Sequence, residues 1–384
     1  MSFHRDRFFW NTSLQTAIVA SFIGGFGPAQ SLLQKNQGTS LTVAGLHGTA
    51  MGIGSILAGV LNARLAHKYG RDQASWIGIL IFMVGASSLV IFTPVYATIT
   101  SVLIASAGVA ITINNMVTTI SHRYDSQAAK IAIAQANAIS AVGSILGTAV
   151  VSLIAIYFAG GSQWKFGILF SFPFIVLLYL YNRNIHDVHI ADTEGRQRGK
   201  LSRQYWWAWC ALIASIGVEF CTSFWAAALI KDRTGASAAI GTACVVAVTT
   251  GMTIGRWYGG LILKRFSLDQ QLLILYATYV IGFAIFWSSH SLILSIVALF
   301  IVGAGISIQF PLTALRLIIL SGGRPDLSQG VASNGGGLAI ALGPFLLAAL
   351  ADQIGISQAY LMVPVLVLVA AIIVKLVPTP EVRS

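Results

Sequence analysis

Two charged residues, Glu219 and Arg256, lie well inside long apolar stretches of this chain. A carboxylate surrounded by hydrocarbon is costly to keep ionised, so it can take up and release a proton as part of a working cycle. A guanidinium in the same surroundings can bind a carboxylate or phosphate through two parallel hydrogen bonds. The residue types therefore suggest proton coupling at Glu219 and binding of a small molecule at Arg256.

Each of these residues also has a purely structural interpretation. Glu219 could hydrogen-bond a neighbouring helix and only fix its packing. Arg256 could extend to the membrane surface or brace the loop after its helix, and a straight-helix count puts it about 10 Å from Glu219 in depth. Arg316, which follows Pro311, presents the same choice between binding a substrate and lying at the membrane surface.

Uncharged polar and aromatic side chains form a second set of candidates. Amides bind neutral polar solutes such as sugars or nucleosides, but they also join helices to each other; the candidates are Asn114, Asn115 and Gln309. Phe224 and Trp225 lie about one helical turn beyond Glu219, where they could stack on a ring in the substrate or simply pack.

The elements that position these residues are membrane-spanning helices. Of the 384 residues, 56% are hydrophobic and 9% are charged, and the mean hydropathy is +0.79. Soluble domains contain roughly 25% charged residues, so this composition indicates an integral membrane protein and excludes nucleic-acid binding as the reason for the net charge of +11. A span needs about 20 apolar residues, which predicts twelve helices at roughly 10–33, 42–66, 73–93, 95–119, 129–159, 164–182, 204–230, 237–263, 269–289, 291–320, 327–351 and 357–377.

The basic residues predict the orientation of these helices. If the N-terminus is cytoplasmic, only four of the 23 Lys and Arg residues fall in outer loops, namely Lys35, Lys165, Lys231 and Arg233. Arg256 lies within a helix, and all the others lie on the cytoplasmic side. Because basic residues concentrate in cytoplasmic loops, this predicts a multi-pass protein of the cell (inner) membrane with both termini in the cytoplasm.

The two halves of the chain are similar in sequence. Met51–Gly54 and Ala58–Gly59 match Met252–Gly255 and Gly259–Gly260 at one constant offset, which also pairs Arg64 with Arg265. A polar segment separates the halves. We therefore predict an all-α integral membrane fold of two pseudo-symmetric six-helix bundles, residues 1–182 and 204–384, joined by a cytoplasmic linker at 183–203.

The loop after the second predicted helix carries a family resemblance. It reads Ala63-Arg-Leu-Ala-His67-Lys68-Tyr69-Gly70-Arg71-Asp72. Together with the six-plus-six plan, this resembles the major facilitator superfamily, whose members have Gly-x-x-x-Asp-Arg-x-Gly-Arg-basic there. The turn glycine, the following arginine and a basic residue are present. His67 occupies the aspartate position, and Asp72 occupies the last basic position and could supply the missing carboxylate.

The resemblance implies a transporter whose helices one, four, seven and ten line a central cavity and whose loop at His67–Asp72 helps close a cytoplasmic gate. Proton-driven drug antiporters of the family carry Gly-Pro in helix five, whereas this chain has Gly343-Pro344 in helix eleven and none in helix five. This lowers the expectation of drug export without removing it.

The expected function is secondary active transport of a small polar organic solute, with a proton as the coupling ion carried by Glu219. Two alternatives stay open: a proton antiporter that exports drug-like or lipophilic compounds, and a non-transporting membrane sensor. The sequence shows no nucleotide-binding loop or metal-ligand spacing, so we expect neither an enzyme nor a cofactor or metal. A monomer in the lipid bilayer suffices for this architecture.

Overall fold

Every regular element in the described part of the chain is helical. The structure is a computed structural model that describes residues 5–124, 126–159, 161–182 and 199–380. Among these residues, 11 helices are long and apolar enough to cross a membrane, and a bent pair makes a twelfth if it is counted as one span. The predicted fold class is confirmed.

The first six spans are formed from eight helices. Pairs of helices that share one span are given the letters a and b. Their bounds are Arg7–Phe26 for α1a, Gln30–Gln37 for α1b, Leu41–Tyr69 for α2, Arg71–Ile91 for α3, Val95–Arg123 for α4, Ser126–Tyr157 for α5, Ser162–Ser171 for the 3₁₀ segment α6a and Phe172–Asn182 for α6b.

The other six spans follow residue 199. Their bounds are Arg203–Thr234 for α7, Ala238–Cys244 for α8a, Val246–Ile262 for α8b, Leu268–Ser288 for α9, Leu292–Ile306 for α10a, Gln309–Leu320 for α10b, Pro325–Ile354 for α11, Ile356–Ala359 for α12a and Met362–Leu376 for α12b.

The chain divides into two compact units. The first consists of Met1–Thr39 and Ala50–Thr193, and the second of Ser40–Thr49 and Glu194–Ser384. The first turns of α2 thus group with the second unit. Most of the predicted linker at 183–203 lies outside the described residues, and the predicted domain bounds stay a prediction.

Proline interrupts helices in both units by removing a hydrogen-bond donor. In the first unit, α1a and α1b meet at an angle of 53° across Gly27, Pro28 and Ala29. Because Pro28 has no N–H, the carbonyl of Gly24 lacks its helical partner, and it accepts a hydrogen bond from the Thr148 hydroxyl of α5 at 2.8 Å instead.

Glycines allow the closest helix contacts. A Cβ atom on Gly143 of α5 would lie 2.0 Å from the carbonyl oxygen of Ala17 on α1a. In the second unit, a Cβ on Gly251 of α8b would lie 2.1 Å from the Phe300 carbonyl oxygen on α10a, and one on Gly303 would lie equally close to Val248. The backbones of α8b and α10a therefore touch, which determines where the side chains of α8b can reach.

Candidate functional site

Glu219 lies midway along α7, the longest helix of the second unit. Ser202 caps the start of this helix by accepting a hydrogen bond from the Tyr205 amide, and Gly235, with φ +70°, ends it. The neighbours Val218 and Cys221 are fully buried, whereas the side chain of Glu219 is 21% exposed. The carboxylate is therefore held midway along a well-packed helix, with part of its surface exposed.

Arg256 of α8b is the charged partner of this carboxylate. Its Nη2 lies 3.7 Å from Oε1 of Glu219, and the arginine side chain is 33% exposed. This distance is longer than a hydrogen bond, so the two charges attract each other without being locked together. The depth difference expected from the sequence compares backbone positions along straight helices, whereas the 3.7 Å distance joins the ends of two long side chains, so the two charges meet despite that expected difference.

The backbone of α10 fixes the orientation of Arg256. Its Nε donates a hydrogen bond of 3.0 Å to the carbonyl oxygen of Ser307, between α10a and α10b. In a continuous helix this carbonyl would accept from the amide of residue 311, but that residue is Pro311 and has no N–H. The interruption in α10 thus creates the acceptor that positions the guanidinium.

Gly255 allows α8b to come close enough for this contact. A Cβ at this position would lie 2.4 Å from Oγ of Ser307 and 2.5 Å from its Cβ. Any larger residue would push α8b away from the break in α10, so Gly255, Arg256 and Ser307 form one arrangement. Among the described residues, Nε is the nitrogen of Arg256 that donates a hydrogen bond, and both Nη groups are left to bind something else.

The predicted amide residues lie in different places. Gln309 is 1% exposed, at the start of α10b; its Nε2 donates to the Gly305 carbonyl at 2.9 Å, and its Oε1 has no partner among the described residues. Asn115 of α4 is 2% exposed, and both of its amide atoms lack a partner within that same part of the chain. Asn114 is partly buried. Both asparagines belong to the first unit, and their binding role stays a prediction.

The two predicted aromatic residues are deeply packed. Phe224 is 1% exposed and Trp225 is fully buried, with its Nε1 donating to the Pro344 carbonyl of α11 at 2.9 Å. Phe220, next to Glu219, is only partly buried, and it packs edge-on against Phe224 with ring centroids 5.5 Å apart. Phe220 packs against the buried core formed with α10b and α11, so none of these three rings is shown to face the carboxylate.

Arg316 lies apart from this pair and is 1% exposed. Its Nε lies 3.2 Å from Oδ1 of Asp269 and donates to the Thr379 hydroxyl at 3.1 Å. Its Nη2 donates to the carbonyls of Val374 and Val377. These contacts hold the end of α12b against the start of α9, which favours the structural interpretation of Arg316.

The predicted gate loop forms the turn between α2 and α3. Gly70 has φ +83° and ψ 160°, a backbone conformation that residues with a side chain rarely adopt. Lys68 lies over the Tyr69 ring at 5.0 Å. His67 is in the last turn of α2, and Arg71 and Asp72 begin α3, where Asp72 is favourable to the helix dipole. The positive φ of Gly70 explains why the turn needs a glycine. The gating role of the loop stays a prediction.

Sequence reasoning singled out both charges but missed the carbonyl of Ser307. A signal for the carbonyl was present, since a proline inside an apolar helix leaves the carbonyl four residues earlier without its donor. Applied to Pro311, this rule identifies Ser307.

Comparisons with known proteins agree with this architecture. The chain matches the sequence profile of the Major Facilitator Superfamily over residues 12–321. No curated protein matches it. The structure resembles crystal structures of the nucleoside transporter NupG (TM-score 0.75, 13% identity, covering 98% of this chain and 100% of that one) and of a D-xylose-proton symporter (0.78, 14%, 97% and 98%).

A third similar structure is that of a bacterial homolog to the human lysosomal transporter Spinster, with a TM-score of 0.78 at 13% identity, covering 99% of this chain and 98% of that one. At such low identity these structures show a shared fold and nothing about the solute. The profile match covers most of the chain, and so the protein is a multi-pass membrane transporter, not an enzyme, and belongs to the Major Facilitator Superfamily.

Proposed function

We propose that this transporter carries a small polar organic solute by secondary active transport and that a proton bound to Glu219 is the coupling ion. The observation that carries the proposal is the loose ion pair between Glu219 and Arg256, at 3.7 Å and partly exposed. Charged residues inside a membrane are expensive and mark ion or substrate pathways.

The geometry supports a cycle in which the pair opens and closes. When Arg256 is beside it, the Glu219 carboxylate is stabilised in its ionised form by the nearby positive charge. When a solute engages the guanidinium, that stabilisation weakens and a proton can take its place on the carboxylate. The Ser307 carbonyl holds the arginine by Nε throughout, so solute and carboxylate compete for the same Nη groups.

Two of the similar structures are those of a nucleoside transporter and a D-xylose-proton symporter. Both names describe small polar organic solutes, and one names proton coupling. This supports the same broad class for the present chain. The break in α10, with its freed carbonyl and the half-free amide of Gln309, also resembles the discontinuous helices that form solute sites in transporters.

The proposal is tested with purified protein in liposomes under an imposed pH gradient. The Glu219→Gln variant keeps the shape of the side chain but cannot carry a proton. We expect it to retain solute exchange at equal pH on both sides and to lose accumulation driven by the gradient. Lys264→Gln, which changes an exposed charge after α8b, is the matched control and should accumulate solute like the wild type.

Gradient-driven accumulation that is unchanged in Glu219→Gln would remove this residue from coupling. The same experiment addresses the two alternatives. Proton uptake into the vesicles as lipophilic cations leave them would indicate an antiporter, and a protein that binds solute without moving any would indicate a sensor.

A further inference from the structure

The site carries one negative and one positive charge, and this balance restricts which solutes can travel with a proton. With Glu219 ionised and Arg256 charged, the empty site has no net charge. If a proton neutralises Glu219 while a neutral solute is bound, Arg256 is left as an uncompensated charge inside the membrane. An uncompensated charge in the middle of a membrane is costly in free energy. Binding a proton together with a neutral solute is therefore unfavourable at this site.

A solute with a single carboxylate removes this cost. Its negative charge replaces that of Glu219 beside Arg256, and the proton bound to Glu219 cancels the charge that the solute brings. The loaded site is then as neutral as the empty one. We propose, as a refinement of the function proposed above, that the solute is a monocarboxylate anion bound by Arg256 and that one proton travels with it on Glu219.

The geometry of Arg256 fits this ligand. Nε is occupied by the Ser307 carbonyl at 3.0 Å, which leaves the two Nη groups as a planar pair of donors. Carboxylates are recognised by guanidinium groups through two parallel hydrogen bonds. The present partner at 3.7 Å makes no such bond, so a carboxylate on the solute would gain contacts that Glu219 does not have.

Other ionisable groups that reach α7 from neighbouring helices already have partners. From α9, the hydroxyls of Tyr276 and Tyr279 bond Ser215 and Thr222, both at 2.8 Å. From α12, the Tyr360 hydroxyl donates to the backbone carbonyl of Thr222 at 3.2 Å. Arg316 of α10b is bound to Asp269. Among the described residues, Arg256 is therefore the charged group that Glu219 faces, and the charge count of the site rests on these two side chains.

The first test compares acids with neutral partners of similar shape. Purified protein is screened for thermal stabilisation by gluconate and glucose, lactate and glycerol, and benzoate and benzamide, with glucose 6-phosphate as a dianion. We expect at least one carboxylate to raise the melting temperature while its neutral partner does not. If no carboxylate stabilises the protein, or if the phosphate ester does so best, the monocarboxylate assignment is wrong.

Arginine variants connect this ligand to Arg256. Arg256→Gln should weaken binding of the stabilising carboxylate by roughly 10- to 100-fold, as expected for loss of charge-assisted hydrogen bonds. Arg256→Lys keeps the charge but not the planar fork and should give an intermediate loss. The double variant Glu219→Gln/Arg256→Gln has a neutral site and serves as the folding control. Equal carboxylate affinity in the wild type and in this double variant would contradict the proposal.

The second test measures the charge moved. Liposomes that contain a pH-sensitive dye report the proton, and a potassium gradient with valinomycin imposes a membrane potential. If one proton and one monocarboxylate move together, no net charge crosses the membrane. The accumulation ratio of the solute should then follow the pH gradient and not respond to the potential. If one net charge moved per cycle, 100 mV would change accumulation roughly 50-fold.

The two proposals fail in different ways. Glu219-dependent, proton-driven uptake of a neutral solute would overturn the monocarboxylate assignment and leave the proposed function standing. Carboxylate binding at Arg256 without any response of uptake to the pH gradient would overturn proton coupling itself.

Discussion

At the scale of single residues, the two arginines of α8b and α10b show what distinguishes a working charge from a structural one. Arg316 is 1% exposed and spends Nε and Nη2 on Asp269, Thr379 and backbone carbonyls. Arg256 is 33% exposed and commits only Nε among the described residues. Arg316 is therefore fixed by its contacts, whereas the Nη groups of Arg256 can bind an exchangeable partner.

The fixed cluster predicts a large loss of stability when one charge is removed. Asp269→Asn should lower the free energy of unfolding by about 3 kcal/mol, the low end for a buried ion pair because Asp269 is 20% exposed. Thr379→Val removes only the hydroxyl and should cost about 1 kcal/mol. Thermal unfolding in detergent measures both. A smaller effect for Asp269→Asn than for Thr379→Val would show that the ion pair does not hold the end of α12b.

A second prediction concerns Asp6, which caps α1a outside the membrane span. Burial opposes its ionisation, but hydrogen bonds from the Phe9 amide and from Arg123, at 2.8 Å each, outweigh burial and hold the pKa of Asp6 below its usual 3.8. A carboxyl with a lowered pKa in the folded state stabilises the protein above its unfolded pKa, and this stabilisation is lost as pH falls through the folded pKa.

We therefore expect the melting temperature of the wild type to fall more steeply below about pH 4 than that of Asp6→Asn, while the two profiles run parallel near pH 7. The effect is small, because the Asp6 side chain is 36% exposed and the pair is partly screened by solvent. Profiles that stay parallel in acid would mean that Asp6 titrates alike in the folded and unfolded chain.

At the scale of helices, some glycines allow two backbones to touch, whereas others lie in open space. On α8b, a Cβ at Gly251 would meet the Phe300 carbonyl at 2.1 Å, whereas one at Gly260 would have no atom within 4 Å. Gly251→Ala should therefore destabilise the protein by forcing α8b and α10a apart, by about 1–3 kcal/mol as for other overpacked sites. Gly260→Ala should be neutral or slightly stabilising, since alanine favours helix. Unfolding midpoints of the two variants that agree would contradict the close contact.

The sequence predicts spans better than it predicts what happens inside them. Hydropathy separated α3 from α4 at Pro94 and α9 from α10a near His290, and both separations are present in the structure. It did not predict the interruptions at Gly27, Val245 and Ser307, because an average over a whole span does not register a single lost hydrogen bond. The contact between Glu219 and Arg256 depends on the interruption at Ser307. The two residues could therefore be predicted from the sequence, but the contact between them could not.

At the scale of the molecule, the internal repeat is symmetric in its packing and asymmetric in its charge. Gly54 of α2 and Gly255 of α8b occupy matching positions, and each approaches the fourth span of its own half, at Leu103 and at Ser307. The same sequence offset places Ser55 opposite Arg256. The repeat thus supplies two similar scaffolds, and the second carries the ionisable pair.

The orientation of the whole molecule follows from its basic residues and can be tested directly. The charge pattern predicts that the loop after α1b is outside the cell and the loop after α8b is inside. Lys35 is an exposed residue in the last turn of α1b, next to the first of these loops, and Lys264 is an exposed residue of the second. Cys210 is the exposed native cysteine that must first become serine. In this Cys210→Ser background, a membrane-impermeant maleimide should label Lys35→Cys in intact cells and Lys264→Cys only after permeabilisation.

Because the helices alternate in direction, the reverse labelling pattern would invert every loop at once and place both termini outside. Labelling of both positions in intact cells would instead require an even number of spans between them, which contradicts the seven, α2 to α8, that the described residues form.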